Sequence, residues 1–139
     1  MKQKFSTSWK SSKQRRKQRK YLANAPLHLR NKLISANLSK ELRKKYLRRS
    51  FTLRKGDTVK VMRGQFKNKS GKVNYIDKSR LRLNIEGIQR QKKDGTKVNV
   101  WFNPSTLQIQ EVLLGDKNRE KSIKLKIGTG NASKKTKIA

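Results

Sequence analysis

Lys67 and Lys69 stand on either side of Asn68, behind Gln65 and Phe66 and ahead of Ser70, with Gly64 and Gly71 closing the run at its two ends. Cations, an aromatic ring and hydrogen-bonding side chains gathered in so short a stretch are the groups that hold phosphate and stack on a base. Glycine at both ends suits a tight loop, because it enters the positive-φ region without steric cost, and positive φ is expected at Gly64 and Gly71 alike. A second concentration lies near the N-terminus, where Lys10, Lys13, Arg15, Arg16, Lys17, Arg19 and Lys20 follow one another with no acid between them, flanked by Trp9 and Tyr21. Such a block repels itself and is expected to stay extended until it meets phosphates, with Trp9 or Tyr21 stacking on a base or sugar; the plainer reading is a solvating tail or a localisation signal. Smaller groups of cations recur at Arg30, at Arg43 and Lys44, at Arg63 and Lys72 around the loop, and at Arg90, Lys92 and Lys93. For the last of these a solvated loop and a contact with RNA or a protein neighbour stand equally open.

Catalysis has little to work with. The chain contains no cysteine and one histidine, His28, so thiolate chemistry is excluded and a histidine-based triad or metal site is disfavoured. Its 8 carboxylates are scattered through turns, strands and helix starts, and its glycines do not form a phosphate-binding loop of nucleotide hydrolases. No catalytic residue, cofactor, metal or small-molecule substrate is expected. Against those 8 acids stand 39 lysines and arginines, a net charge of +31, which is tolerable beside a polyanion. With 139 residues, 32% of them apolar, the chain has material for one small domain with long basic extensions. No apolar run is long enough for a membrane span and no apolar segment follows the basic start, so a cytosolic or organellar protein is expected. Residues 1–50 superficially resemble a transit peptide, but they also carry helix punctuation.

The elements that must position these groups follow from periodicity. Val59 and Val61 alternate before the loop and Val73 and Tyr75 after it, the pattern of two half-buried strands in a hairpin opened by a turn at Gly56-Asp57. Upstream, Pro26 suits the first turn of a short helix whose Leu27, Leu33 and Ile34 would dock on the domain, with Leu29 on another face. Ser39 is placed to cap a helix from Lys40 to Tyr46, with Glu41 in its first turn and cations towards its end. Leu42 and Tyr46 would pack, and Arg43, Lys44 and Lys45 would point outward. Downstream, Leu81, Leu83 and Ile85 alternate on one strand face, Asp94-Gly95 is the strongest hairpin turn signal, and Val98 and Val100 return. Trp101 and Phe102, adjacent in that strand, must face opposite ways. Asn103-Pro104-Ser105 makes a structural turn, Leu107 begins a fifth strand, and Asp116 is placed to cap a last short helix before a basic tail. Five short strands curl into a small barrel, SH3-like or OB-like by count alone.

The run Gly56-Asp57-x-Val59-x-Val61-x-x-Gly64-x-x-Lys67-x-x-x-Gly71-Lys72-Val73 resembles a KOW motif, the RNA-binding module of several ribosomal proteins and of NusG-like elongation factors. Further runs, Ser12-Lys13-Gln14 with Arg16-Lys17-Gln18-Arg19-Lys20, Ala25-Pro26-Leu27-His28-Leu29-Arg30 and Leu38-Ser39-Lys40-Glu41-Leu42-Arg43, precede it in the same order as in a large-subunit ribosomal protein. From about residue 9 to residue 123 the chain resembles the archaeal and eukaryotic form of the universal L-twenty-four family, called L-twenty-six in eukaryotes. It departs from the family pattern at Asn68, where many KOW loops carry glycine and asparagine tolerates the left-handed region. Arg15 stands where proline is frequent, Asn103 where relatives carry histidine, and Tyr46-Leu47-Arg48-Arg49, in place of tyrosine-glycine, is expected to lengthen the helix before it. The resemblance implies a mainly β fold, a small SH3-like barrel containing the KOW motif, with short N-terminal helices and extended basic N- and C-terminal arms. It divides the chain into an arm (1–23), a helical segment packed on the barrel (24–50), the barrel (51–114) and a helix with basic tail (115–139).

By the same resemblance the chain is a structural, non-enzymatic constituent of the large ribosomal subunit. The implied partners are rRNA, chiefly its 5′ domain, and neighbouring large-subunit proteins near the nascent-chain tunnel exit. An early role in subunit assembly is implied as well, with a cytoplasmic location that becomes nucleolar during assembly in a eukaryote. The alternative is a KOW-bearing transcription elongation or RNA-processing factor. NusG-like factors carry a polymerase-binding domain before that module, and residues 1–50 are too short and too basic to be one.

Overall fold

A computed structural model of the chain describes residues 5–6 and 12–123. Along the chain run α1 (Arg15–Asn24), α2 (Leu27–Leu33), β1 (Ser35–Leu38), α3 (Lys40–Tyr46), β2 (Ser50–Thr52), β3 (Thr58–Val61), β4 (Ser70–Asp77), β5 (Arg82–Gln91), β6 (Lys97–Phe102), a 3-10 turn (Pro104–Thr106) and β7 (Leu107–Glu111). Residues 117–123 are helical. The strands form one sheet in the order β2-β1-β7-β3-β4-β5-β6, with β1 parallel to β7 and the other pairs antiparallel.

Chain connectivity forces that sheet to curl. β6 lies four positions from β7 in the order, about 19 Å away if the sheet were flat at ~4.8 Å per strand. Only residues 103–106 join Phe102 to Leu107, and three of them are wound into the 3-10 turn, so the link cannot span a flat sheet. The result is consistent with a small β-barrel. Its interior is filled by Leu38, Val59, Val61, Val73, Leu83, Ile85, Leu107 and Ile109, all fully buried. Val59 and Val61 in β3, and Leu107 and Ile109 in β7, stand at alternate positions and put one face of each strand inside, as the period of two requires.

Several expectations hold and several need correction. Ser39 caps α3 by accepting the Leu42 N–H at 3.3 Å, Tyr46 is buried and Leu42 packs partly against the core. The helix is not lengthened: Leu47 takes a left-handed φ of 51°, which stops α3 at Tyr46. In α2 it is Ile34, just past the helix, that enters the core, whereas Leu27 and Leu33 face outward. Leu81 belongs to the turn before β5, with φ 55°, so that strand begins at Arg82. Tyr75 is exposed because a bulge between Val73 and Tyr75 changes the face it takes. Residues 15–24, expected to be extended, are helical. Arginine, lysine and glutamine are good helix formers, and the helix stops at Ala25 because the residue before Pro26 is driven to extended φ and ψ.

Two strands lie outside the expected five, β2 at the sheet edge and β1 next to it. β1 and β2 pair with each other, and β1 also pairs with β7, so the segment before the hairpin adds to the sheet rather than only packing on it. A buried ion pair then ties the C-terminal segment to the mouth of β3. The Asp57 carboxylate accepts from Arg119 Nη1 and Nη2 at 2.8 and 2.7 Å, and from the Arg54 and Leu113 backbone N–H groups at 2.8 and 3.1 Å. Arg119 also donates to the carbonyls of Leu113 and Thr52, both at 3.1 Å, and its guanidinium lies 5.0 Å from the Phe51 ring centre.

Candidate nucleic-acid interface

Backbone hydrogen bonds set the path of the β3–β4 loop. Val61 N–H donates to Lys69 O and Asn68 N–H to Val61 O, both at 2.8 Å, while Lys67 N–H reaches Gly64 O at 3.0 Å and Lys69 N–H reaches Phe66 O at 3.2 Å. Gly64 has φ 91° and Asn68 φ 70°, so asparagine does occupy the left-handed position. Gly71 does not have positive φ, and the reason for glycine there is different. A Cβ at that position would sit 2.7 Å from Glu86 O and 2.8 Å from Ile85 Cγ2, inside the β4–β5 contact. Gly56 and Gly95 have φ of 91° and 82°, and the Asp94-Gly95 turn closes on Lys92 N–H to Thr96 O at 2.9 Å.

With the loop backbone fixed, Arg63, Lys67, Lys69 and Lys72 are exposed around it. Phe66 is half-buried, edge-on to Phe102 with ring centres 6.0 Å apart, and Lys69 Nζ lies 5.4 Å from its centre. The ring therefore pins the loop to the end of β6. On α1, Arg15, Arg16, Lys17, Arg19 and Lys20 are all exposed, as is Lys13 before it, and none is in an ion pair among the described residues. Tyr21 meets Phe5 at 4.9 Å between ring centres. Trp9, Lys10 and the tail from residue 124 lie outside the described residues.

Other cations have structural work. Arg30 donates to the carbonyls of Ala25 and Ala23 at 2.8 and 2.6 Å, capping the end of α1. Arg43 is half-buried and donates Nε to Leu38 O at 2.9 Å, which leaves Lys44 and Lys45 as the outward cations of α3. Arg90, Lys92 and Lys93 line a shallow depression of about 430 Å³ with Val98 and Val100, two strands removed from the β3–β4 loop.

The stretch that carries the basic helix, the cationic hairpin and the barrel is also the stretch that one family's model matches. The family model for the eukaryotic ribosomal proteins L26 and their archaeal L24 counterparts matches residues 12–126. The chain belongs to that family. It is similar to the large ribosomal subunit protein uL24 of Korarchaeum cryptofilum (strain OPF8), 47% identical over 110 residues that cover 79% of this chain and 84% of the relative. Membership makes it a structural, non-enzymatic constituent of the large ribosomal subunit, which places it on the cytoplasmic ribosome.

One feature of this L24/L26 chain was not legible in its sequence. A groove of about 580 Å³ runs between α2 and β4, floored by Ile34, Leu53 and Ile76 and rimmed by Lys32, Arg54, Lys55 and Lys78. Its walls come from three separate stretches, so neither charge runs nor periodicity mark it. Only the fold, which sets the end of α2, the end of β2 and β4 beside one another, brings them together.

Proposed function

We propose that the chain binds large-subunit rRNA, chiefly the 5′ domain near the nascent-chain tunnel exit, and helps RNA segments approach one another early in subunit assembly. In a eukaryotic source that step is nucleolar. The observation that carries this reading is the row of exposed cations on α1, without ion-pair partners among the described residues, together with those of the β3–β4 loop, in a chain of net charge +31. The barrel acts as a rigid block that fixes the loop, and the basic helix neutralises phosphates along RNA that would otherwise repel. Neighbouring large-subunit proteins share the site by the same family reading.

Replacing Lys13, Arg16, Lys17 and Arg19 together by glutamine tests it. The affinity for a 5′-domain rRNA fragment should fall, and the log–log salt slope should flatten by about 0.9 for each lost phosphate contact on duplex nucleic acid. An unchanged slope would show that α1 is not the electrostatic anchor. Sedimentation of a lysate before and after a high-salt wash gives the cellular check, with the chain expected to stay with the large subunit.

A further inference from the structure

On the outer face of the barrel, Tyr75, Asn84 and Trp101 lie side by side in register across β4, β5 and β6. The bulge that turns Tyr75 outward is what completes this row. Tyr75 and Trp101 are 58% and 42% exposed, and their rings meet edge to face with centres 6.0 Å apart. Between them Asn84 is only 6% exposed, and its Oδ1 finds no hydrogen-bond partner among the described residues. A buried carbonyl oxygen without a donor is costly, and a ligand that brings an N–H to it recovers the loss. Tyr75 also forms one wall of the groove between α2 and β4, so the aromatic pair and the groove are continuous.

We propose that this face and groove bind an unpaired stretch of RNA, with a nucleobase resting on the Tyr75–Trp101 pair and the flanking phosphates lying along Lys32, Lys55 and Lys78. The inference rests on the RNA-binding reading above and adds a second contact, of a different kind, to it. Arg54 is already paired with Asp116, which leaves the three lysines as the groove's cations, and Asn31 and Asn74 add donors. No aspartate or glutamate lines the groove among the described residues. Along β5, Arg82 and Glu86 lie two positions to either side of Asn84, so their charges offset and the attraction comes from the groove. An apolar protein segment would gain nothing from the lysines. A nucleotide uses every part: a π-face for the rings, an exocyclic amine for the Asn84 oxygen and phosphates for the groove. In a duplex the base faces are covered, so the site selects single strands.

The test is equilibrium binding of the full chain to a short single-stranded oligoadenylate and to an RNA duplex of the same length. Trp101→Leu and Tyr75→Leu should each weaken the single strand by roughly 5- to 150-fold, the range of one lost base stack, and leave the duplex affinity as it was. Trp101→Phe, which keeps a ring, should stay within a few-fold of the parent. Lys32, Lys55 and Lys78 replaced together by glutamine should flatten the single-strand salt slope by up to about 2. Leucine variants that melt at the parent temperature and keep full single-strand affinity overturn the proposal, as does an unchanged slope in the lysine variant. So does loss of a large-subunit protein contact with RNA affinity intact, which would make the face a protein docking surface. If the unaltered chain bound neither RNA, the broader reading would fail with it; binding that ignores these substitutions removes this site alone.

Discussion

Asp57, just before β3, and Asn84, in β5, are both buried polar side chains, but the chain surrounds them differently. Asp57 is enclosed with Arg119 and accepts four hydrogen bonds, two from that guanidinium and two from backbone N–H groups. Asn84 is covered by two exposed rings and leaves Oδ1 unmatched. A buried charge survives when its partners offset the several kcal/mol of hydration lost per ion, and those of the Asp57 carboxylate do so even though Arg119 Nε has no partner among the described residues. A neutral carbonyl costs about 1–3 kcal/mol when unmatched, which a folded domain can carry. The region around Asp57 is thus organised for closure, and the region around Asn84 retains bonding capacity for something outside the chain.

The sharpest way to break that contrast is at Arg119. Arg119→Leu should strand the Asp57 carboxylate and cost about 3–5 kcal/mol in denaturant unfolding, and pairing it with Asp57→Asn, which removes the stranded charge and keeps an amide oxygen for a backbone N–H, should recover part of the loss. A single variant that lost under about 1 kcal/mol would mean that water reaches Asp57 and the closure is not electrostatic. A smaller effect is expected at the hairpin. Gly71→Ala drives a Cβ into Glu86 O and Ile85, and should cost about 1–3 kcal/mol. Gly64→Ala meets nothing and bears only the left-handed strain, about 1–2 kcal/mol. Equal values at the lower figure would mean that β4 and β5 part easily at that point, making this wall of the barrel softer than the Asp57 mouth.

These two glycines also show what the sequence could reveal. Local rules worked where one short stretch decides the outcome: the Ser39 cap, the Asp94-Gly95 turn, the opposite facing of Trp101 and Phe102, and the alternation of Val59 with Val61. They failed where the cause lies far along the chain. Gly71 is needed because of Glu86, not because of its own φ, and Arg119 finds Asp57 from 62 residues away. β1 and β2, four and three residues long, are strands only because they have each other and β7 to pair with. Arg30 and Arg43, singled out by charge, each donate to a backbone carbonyl, which no count of charges reveals. The candidate site was legible in its cations on α1 and the loop, and illegible in the groove, whose residues share no pattern.

Around Asn84 the informative change is Asn84→Val, which removes the unmatched oxygen and keeps a side chain suited to a strand. Stability should hold or rise by about 1 kcal/mol, while the preference for single-stranded over duplex RNA declines. A fall of more than about 1 kcal/mol in denaturant unfolding would show that the carboxamide is matched after all, and Asn84 would join Asp57 as a structural group.

The smallest effect is expected at Asp116, which is linked to the Asp57 mouth through Arg54 but sits at the surface. The Asn118 N–H, which donates to Oδ1 at 2.8 Å, is the main cause that holds this carboxyl below its ordinary 3.8; desolvation opposes it and the Arg54 guanidinium assists. Because the folded carboxyl is the stronger acid, its contribution to stability is present above pH 3.8 and is lost as pH falls through the lowered value. Asp116→Asn keeps the capping oxygen and deletes the charge. Unfolding measured from neutral pH downward should therefore show a constant small deficit in the variant that closes only in acid, below the ordinary carboxylate range. A gap that stayed open at low pH would assign the role of Asp116 to capping geometry rather than to charge, leaving the buried Asp57–Arg119 pair as the electrostatic tie between the C-terminal segment and the barrel.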